Sequence, residues 1–333
     1  MKDIAEVARV SQSTVSRILS GAPPAVPISP ATRERVLAAA EQLRYRPNPL
    51  ARALRGAPTM LIGAIVRDVT DPFFAAAIDA LSLHARRRGY SVVLGHARER
   101  ADEALALAAV LEARQCDAIV LLGDIDEDAR LLDDLAALDA PVIELWQGTG
   151  AHGFPAIAVD NRGGMRAAPH HLDGLGHRRV AFVGDPAKAD VWERRLAYLE
   201  CADDVVEARN SPEDGAAALD VLLDRERPPT AVAAATDLLA FGILHRAAER
   251  GLRVPEDLSV TGFDDIPLAA SAVPALTTVR MPVDAMAQAA VERAIAAPED
   301  GEPRPRLRTF APELVVRAST APAPGDPEER WAA

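Results

Sequence analysis

From Met60 onward, short apolar runs alternate with helical stretches of ten or more residues, and this rhythm narrows the fold more than any other feature of the chain. "MLIGAIV", "SVVLGHA", "DAIVLLG" and "PVIEL" are separated by helical patterns over 72–88, 102–114 and 127–138. A second series opens with "AIAVD" and continues through "RRVAFVG", "TAVAAAT" and "LSVTGFD", with helical patterns at 163–175, 191–199, 212–223 and 238–250 between them. Strands alternating with helices of this length imply parallel sheets covered on both faces. Two series within about 260 residues fit two doubly wound lobes better than one large sheet. In open sheets of this kind ligands bind beyond the carboxyl ends of the strands, so the strand ends are where chemistry is sought. The final "APAPGDPEERWAA", residues 321–333, is rich in Pro and charge and is expected to be disordered.

The first 58 residues have a different texture. "KDIAEVARV" sets Ile4, Val7, Ala8 and Val10 near one helical face. In "VSQSTVSRIL", Ser11 suits an N-cap, and Val10 and Val15 can form a hydrophobic staple across it. Val15, Ile18 and Leu19 then face inward, while Gln12, Ser13, Ser16 and Arg17 face out and Thr14 sits in the first turn. A Pro-rich loop, "GAPPAVPI", separates this helix from "SPATRERVLAAAEQLRY". There Ser29 caps, Pro30 begins the helix, Val36, Leu37, Ala40 and Leu43 form its apolar side, and Pro47 stops it.

Charge separates head from body. Residues 1–58 hold nine Lys/Arg against four Asp/Glu, whereas the whole chain of 333 residues carries −12 and the remainder therefore −17. A basic end on an acidic body is the footprint of a protein that meets a polyanion with one end only, although charge by itself is equally compatible with solvated clusters. In a helix-turn-helix the start of the second helix meets base edges in the major groove, where Gln suits adenine and Arg suits guanine. In "YRPNPLARALRG", Asn48 can cap and Pro49 can start a short helix carrying Leu50 and Leu54 on one face, flanked by Arg52 and Arg55. Such a helix is marginal alone and suits either a linker or, paired, a leucine wedge in a minor groove.

These features together resemble the LacI/GalR family of bacterial transcription regulators. The resemblance is carried by "KDIAEVARVSQSTVSRILSG", "TRERVLAAAEQLRYRPNPLARALR", "IGAIVRDVTDPFF", "AVDNRGG", "LGHRRVAFVG", "ERRLAY", "ATDLLAFG", "RVPEDLSVTGFDDIPLA", "LTTVRMP" and "PELVVRAST", in order along nearly the whole chain. It implies an all-α helix-turn-helix head on an α/β core of two doubly wound lobes similar to periplasmic sugar-binding proteins. It further implies a homodimer on a palindromic double-stranded operator, with Gln12, Ser13 and Arg17 reading bases, Thr14 and Ser16 beside them, and Leu54 as intercalating wedge among Asn48, Leu50 and Arg52. A small-molecule effector, a sugar or polyol, would lie between the lobes. The resemblance marks Asp71, Phe73, Asp160, Arg194, Asp237 and Asp264 around it; carboxylates accept from hydroxyls, Arg donates in a fork, and an aromatic face packs on a sugar ring.

Several positions depart from the family pattern. Thr236 stands in "ATD" where Asn is usual, and "PVIELWQ" places Trp146 and Gln147 where an acidic and then a basic residue are common. Trp146 is either a lobe-core residue or a stacking face for the effector. Arg9 replaces a common Gly at the helix-turn-helix corner, and the segment after Arg194 is several residues short.

Other motifs carry no chemistry. "GTGAHG" matches G-x-G-x-x-G after a strand, but Pro155 and another strand follow where a dinucleotide site needs a helix. His170, His171 and His177 lack the spacing of metal ligands, and Cys116 and Cys201 are expected as reduced thiols. No cofactor or metal is expected. No apolar run nears the roughly 18 to 20 residues that span a bilayer, and "MKDIAEVARV" is not a secretion signal, so a cytoplasmic protein is expected. The boundaries expected are 1–46 for the DNA-binding head, 47–58 for the hinge, 59–320 for the core and 321–333 for the tail. The rival readings are a solute-binding protein, disfavoured by the basic head, and a sugar-modifying α/β enzyme, for which no catalytic constellation is present.

Overall fold

The computed structural model describes residues 1–20, 28–43, 45, 58–123, 129–146, 154–296 and 307–324. The chain forms two compact units, Met1–Leu61 and Ile62–Ala333.

In the first unit, α1 (Lys2–Ala8), α2 (Gln12–Ser20) and α3 (Pro30–Gln42) enclose a small core of Ile4, Ala5, Ala8, Val15, Ile18, Val36, Ala39 and Ala40. Val10 and Leu19 pack against it from the side. Ser11 caps α2 by accepting the Thr14 amide at 3.1 Å, and Ser29 caps α3 through the Thr32 amide at 3.3 Å, as the cap residues predict. Arg9 ends α1 in the left-handed region, with φ 53°. Val7, Leu37 and Leu43 are exposed instead of buried, because Ala5 and Ala39 take the inward positions in these closely packed helices. The third helix also ends earlier than Pro47 would require, with Leu43 as its C-cap.

The second unit holds two six-stranded sheets. The first has the order β11-β5-β4-β3-β1-β2, from β1 (Leu61–Val66), β2 (Ser91–His96), β3 (Ala118–Leu122), β4 (Val142–Leu145), β5 (Ala156–Val159) and β11 (Leu307–Phe310). The second has the order β12-β10-β9-β8-β6-β7, from β6 (Val180–Gly184), β7 (Val205–Glu207), β8 (Ala231–Ala234), β9 (Ser259–Asp264), β10 (Thr277–Arg280) and β12 (Glu313–Val315). The central strands are buried along their length, as parallel strands covered on both faces must be. β12 runs antiparallel to β10, an edge strand on an otherwise parallel sheet. Helices cover both sheets: α4 (Pro72–Arg87), α5 (Ala101–Ala113), α6 (Ala129–Ala136) and α11 (Val283–Ile295) belong to lobe 1. Lobe 2 carries α7 (Asn161–Gly174), α8 (Ala189–Leu199), α9 (Pro212–Leu223) and α10 (Asp237–Glu249).

The lobes interleave instead of following one another. "AIAVD" opens the second series by pattern, yet β5 pairs with β4 in the first sheet. The chain passes to lobe 2 after Val159, returns after Arg280 to lay α11 on lobe 1, and passes again after Phe310 to add β12. Periodicity reports that a segment is a strand but not which sheet it joins, which is why the crossing was placed too early. The expected tail also begins too early. His177 Nε2 donates to Ala321 O at 3.0 Å, and the Ala323 amide donates to Leu175 O at 2.8 Å. Residues 325–333 lie outside the described residues. Cys116 is buried and Cys201 exposed, both as free thiols. Among the described residues, no helix is long and apolar enough to cross a membrane.

Candidate effector cleft and nucleic-acid interface

At the start of α2, the Ser11 hydroxyl gathers the Ser13 and Thr14 hydroxyls at 2.7 and 2.8 Å in addition to capping the helix. Gln12, Ser13 and Arg17 are exposed, and Thr14 and Ser16 are partly so. One rigid turn therefore presents short polar side chains with Gln and Arg outward, which is a surface suited to base edges. Asn48, Leu50, Arg52 and Leu54 lie outside the described residues.

A narrow cleft lies between the two lobes at the carboxyl ends of their strands. Lobe 1 contributes Arg67, which follows β1, and Asp71, the N-cap of α4, whose Oδ1 accepts the Phe73 amide at 2.9 Å. Phe73 stands edge-on to Phe74 (5.3 Å, 74°) and to Trp146 (5.4 Å, 79°). Trp146 follows β4 with φ 71° and is buried, and its indole Nε1 has no hydrogen-bond partner among the described residues. Gly123, at φ 85°, ends β3 where a Cβ would meet the Phe74 ring at 2.6 Å. Trp146 thus belongs to the lobe core and lines the cleft at the same time.

Lobe 2 contributes Lys188 and Asp190 from the start of α8 and Arg194 from its middle, Asn210 before α9, Thr236 as the N-cap of α10, and Asp264 at the end of β9. Arg194 is 2% exposed and donates Nε to Asn161 Oδ1 at 2.9 Å and Nη1 to the Ala235 carbonyl at 2.6 Å. Its guanidinium also meets Asp190 at 3.4 Å and Asp264 at 3.6 Å. Asp264 has φ 110°, a conformation that costs a non-glycine residue and that tends to persist at binding sites.

The carboxyls differ in charge preference. Burial lifts Asp71 above the usual carboxylate range, against the Phe73 amide and Arg67. Burial lifts Asp264 much further, and Asp237, Asp71 and Asp190 add to the effect while Arg194 opposes it. For Asp190 the burial penalty is outweighed by Arg194 and Arg67, so its carboxyl is held low. Among these three, Asp190 is thus biased toward its ionised form and Asp71 and Asp264 toward their neutral forms.

The expected site residues divide accordingly. Asp71, Phe73, Trp146, Arg194, Thr236 and Asp264 meet at the cleft. Asp237 does not line it: the side chain is fully buried behind the cleft, accepting the Ile266 amide at 2.8 Å and the Thr278 hydroxyl at 2.5 Å. Asp160 is an exposed N-cap, accepting the Gly163 amide at 2.8 Å. Gln147 and "GTGAHG" lie outside the described residues. Arg67, Glu99, Lys188, Asp190 and Asn210 were not anticipated. Asn210 follows the three-residue strand β7, too short to register as a strand by alternation; Arg67 directly follows a strand that was recognised. His171 and His177 bond to Thr320 and Thr230, respectively, as parts of the lobe 2 interior.

Comparison with known proteins agrees with both parts. Residues 1–48 match the model for bacterial regulatory proteins of the lacI family, and residues 170–320 match the periplasmic binding protein-like domain. The chain is 35% identical to the HTH-type transcriptional regulator MalR of Streptomyces coelicolor, over 98% of each chain. The lac repressor dimer bound to operator and the anti-inducer ONPF superposes with a TM-score of 0.82 at 26% identity, covering 96% of this chain and 98% of that one. A LacI family regulator from Enterococcus faecium with bound ribose gives a TM-score of 0.70 at 26% identity, over 79% of this chain and 99% of that one.

Proposed function

The chain belongs to the LacI family of bacterial regulatory proteins, DNA-binding transcriptional regulators and not enzymes, and on that premise we propose that it is a repressor controlled by a small polyhydroxyl metabolite bound between its lobes. A sugar or related polyol is the ligand class, supported by the ribose held by the similar Enterococcus faecium regulator. The observation that carries the proposal is the cleft itself, where carboxylates, a guanidinium, an indole N–H and the Phe73 ring converge at strand ends of both lobes.

On this reading Gln12, Ser13, Thr14, Ser16 and Arg17 meet the operator, and Asn48, Leu50, Arg52 and Leu54 form the minor-groove element, with Leu54 as the wedge. The protein acts as a homodimer on a palindromic site in the cytoplasm. The dimer reading is supported by the solved lac repressor dimer and by an apolar stripe on α5, where Ala106, Ala109, Val110 and Ala113 are all exposed on one helical face. The stripe adjoins edge strand β2, where Leu94 is exposed. Ligand and operator then act on a single equilibrium of lobe arrangements, a coupling typically of about 1–3 kcal/mol.

The test is a fluorescence-anisotropy titration of the full-length protein on its own promoter DNA, repeated with a panel of sugars and polyols. A shift of operator affinity by at least one panel member is the expected result. Saturable operator binding that no panel member alters would overturn the effector assignment.

A further inference from the structure

Among the described residues, polar contacts join side chains of opposite lobes across the cleft. Asn210 Nδ2 donates to Asp71 Oδ2 at 2.9 Å, Lys188 Nζ donates to Glu99 Oε2 at 2.9 Å, and Arg67 Nη1 lies 3.8 Å from Asp190 Oδ1. The first belongs to a longer chain. The Thr236 hydroxyl donates to Asn210 Oδ1 at 2.6 Å, so the amide oxygen is committed to lobe 2 and the NH₂ must face Asp71. Asp71 Oδ1 already accepts the Phe73 amide. Every polar atom along Asp71–Asn210–Thr236 that faces the cleft is thus matched by protein groups alone.

Thr236 offers only a short hydroxyl ahead of α10; the amide that reaches lobe 1 comes from Asn210, ahead of α9. Asp264 and Trp146 behave differently. Among the described residues, the Asp264 carboxylate meets Arg194 at 3.6 Å without a hydrogen bond, and the Trp146 indole finds no acceptor. Asp71, Asn210 and Thr236 thus form a hydrogen-bonded set that crosses between the lobes, whereas Asp264 and Trp146 offer the cleft groups without a hydrogen bond among the described residues.

We propose that Asp71–Asn210–Thr236 is an interlobe latch, with Asn210 a positioning residue that holds the lobes closed through protein contacts and Lys188–Glu99 a weaker support at the rim. Asp71, on this view, serves closure ahead of ligand contact. A ligand that prefers the closed form then meets a population already competent to bind it, and the apparent affinity rises with that population. The proposal rests on the cleft being the regulatory site. Its test uses no effector, so a sugar panel that fails to bind and a latch that fails to hold are separate results.

Trp146 lies within the cleft and reports on its opening. In full-length protein carrying Trp192→Phe and Trp331→Phe, its emission is followed with acrylamide as quencher. Asn210→Ala is expected to shift the emission to the red and raise the quenching constant at least twofold, with Asn210→Asp further along because a carboxyl then replaces the N–H donor that faces Asp71. The exchange variant Asp71→Asn/Asn210→Asp swaps donor and acceptor across the cleft, and Asn remains a good N-cap for α4. It is expected to return both readouts to those of the parent, the coupling a double-mutant cycle measures. Unchanged emission and quenching in Asn210→Ala, or an exchange variant no closer to the parent than Asn210→Asp, would overturn the latch.

Discussion

The guanidinium carbon of Arg194 lies 3.7 Å from the centroid of the Phe263 ring. This stacking fixes the plane of the guanidinium, so its edges meet Asn161, the Ala235 carbonyl, Asp190 and Asp264 together. Asn161 begins α7 just after the chain has left lobe 1, and Asp264 ends β9. Arg194 is therefore a tie between the crossing segment and the cleft floor as well as part of the cleft wall.

Replacing Arg194 tests that double role. Arg194→Ala leaves Asp264 and buried Asn161 without their Arg194 contacts and Asp190 with its Arg67 contact, and breaking a buried charge pair by removing one member typically costs about 3–5 kcal/mol. The expected outcome is a large drop in the urea midpoint together with loss of effector response. Arg194→Lys keeps the charge but loses the fork and the stacking, and it should fall between. Full stability in Arg194→Ala would show that the side chain serves the ligand only.

Much of this was legible in the sequence because it is local. Ser11 and Ser29 announce their helices through cap chemistry, and the apolar runs announce the central strands. The cleft residues at recognised strand ends, Asp71, Trp146, Thr236 and Asp264, follow from topology once the strands are known. What escaped was set by distant contacts. Asp237 looks like a ligand residue at a strand end, but its carboxylate turns inward to Ile266 and Thr278, which are 29 and 41 residues away. Asn210 gains its role only when Asp71, 139 residues earlier, is brought opposite. The interleaving of the lobes likewise depends on which sheet edge accepts β5 and β11, a choice no periodicity encodes.

Arg9 gives a prediction about the head. Its φ of 53° lies in the left-handed region, which costs a side chain with a Cβ about 1 kcal/mol relative to Gly. Arg9→Gly should raise the stability of the head by about 0.5–1 kcal/mol, less the extra entropy of Gly in the unfolded chain. Thermal unfolding followed by the helical signal of residues 1–61 in isolation or in the full chain would register it. A lower melting temperature would mean that the Arg9 side chain makes a compensating contact.

The exposed stripe on α5 predicts the assembly state. A glutamate in an apolar interface must be desolvated without a partner, whereas on a free surface it is nearly neutral to stability. Val110→Glu combined with Leu94→Glu is expected to convert the dimer to a folded monomer in sedimentation velocity runs and to weaken binding to a palindromic site more than to a half-site. A dimer that persists would move the interface to another face.

Gly242 shows helix propensity losing to packing. In an exposed helix Gly→Ala gains about 1 kcal/mol. At position 242 of α10 a Cβ would run into the backbone carbonyl of Pro212 and lie 2.9 Å from the Ala216 amide, both on α9. Backbone atoms in a packed helix pair cannot swing aside, and overpacking of this kind typically costs about 1–3 kcal/mol. Gly242→Ala is expected to lower the denaturation midpoint, whereas Gly174→Ala, where a Cβ meets nothing within 4 Å, should not.

Asp237 predicts how stability varies with pH. Burial lifts its carboxyl from the ordinary 3.8 to about 7, with hydrogen bonds from Thr278 and Ile266 opposing the rise. Between those values the folded protein holds a proton that the unfolded chain has released. The contribution of this carboxyl to stability therefore falls as pH rises from about 4 to about 7, by up to about 1.4 kcal/mol per pH unit for one proton. Asp71 and Asp264, also raised, act with the same sign. Asp237→Asn removes one titrating group while its amide oxygen still accepts from Ile266. In urea midpoints measured from pH 4.5 to 7.5, Asp237→Asn should gain on the parent as pH rises. Groups common to both proteins cancel in that difference, so parallel curves would mean that Asp237 stays ionised in the fold, held by Thr278 and Ile266 more strongly than burial opposes.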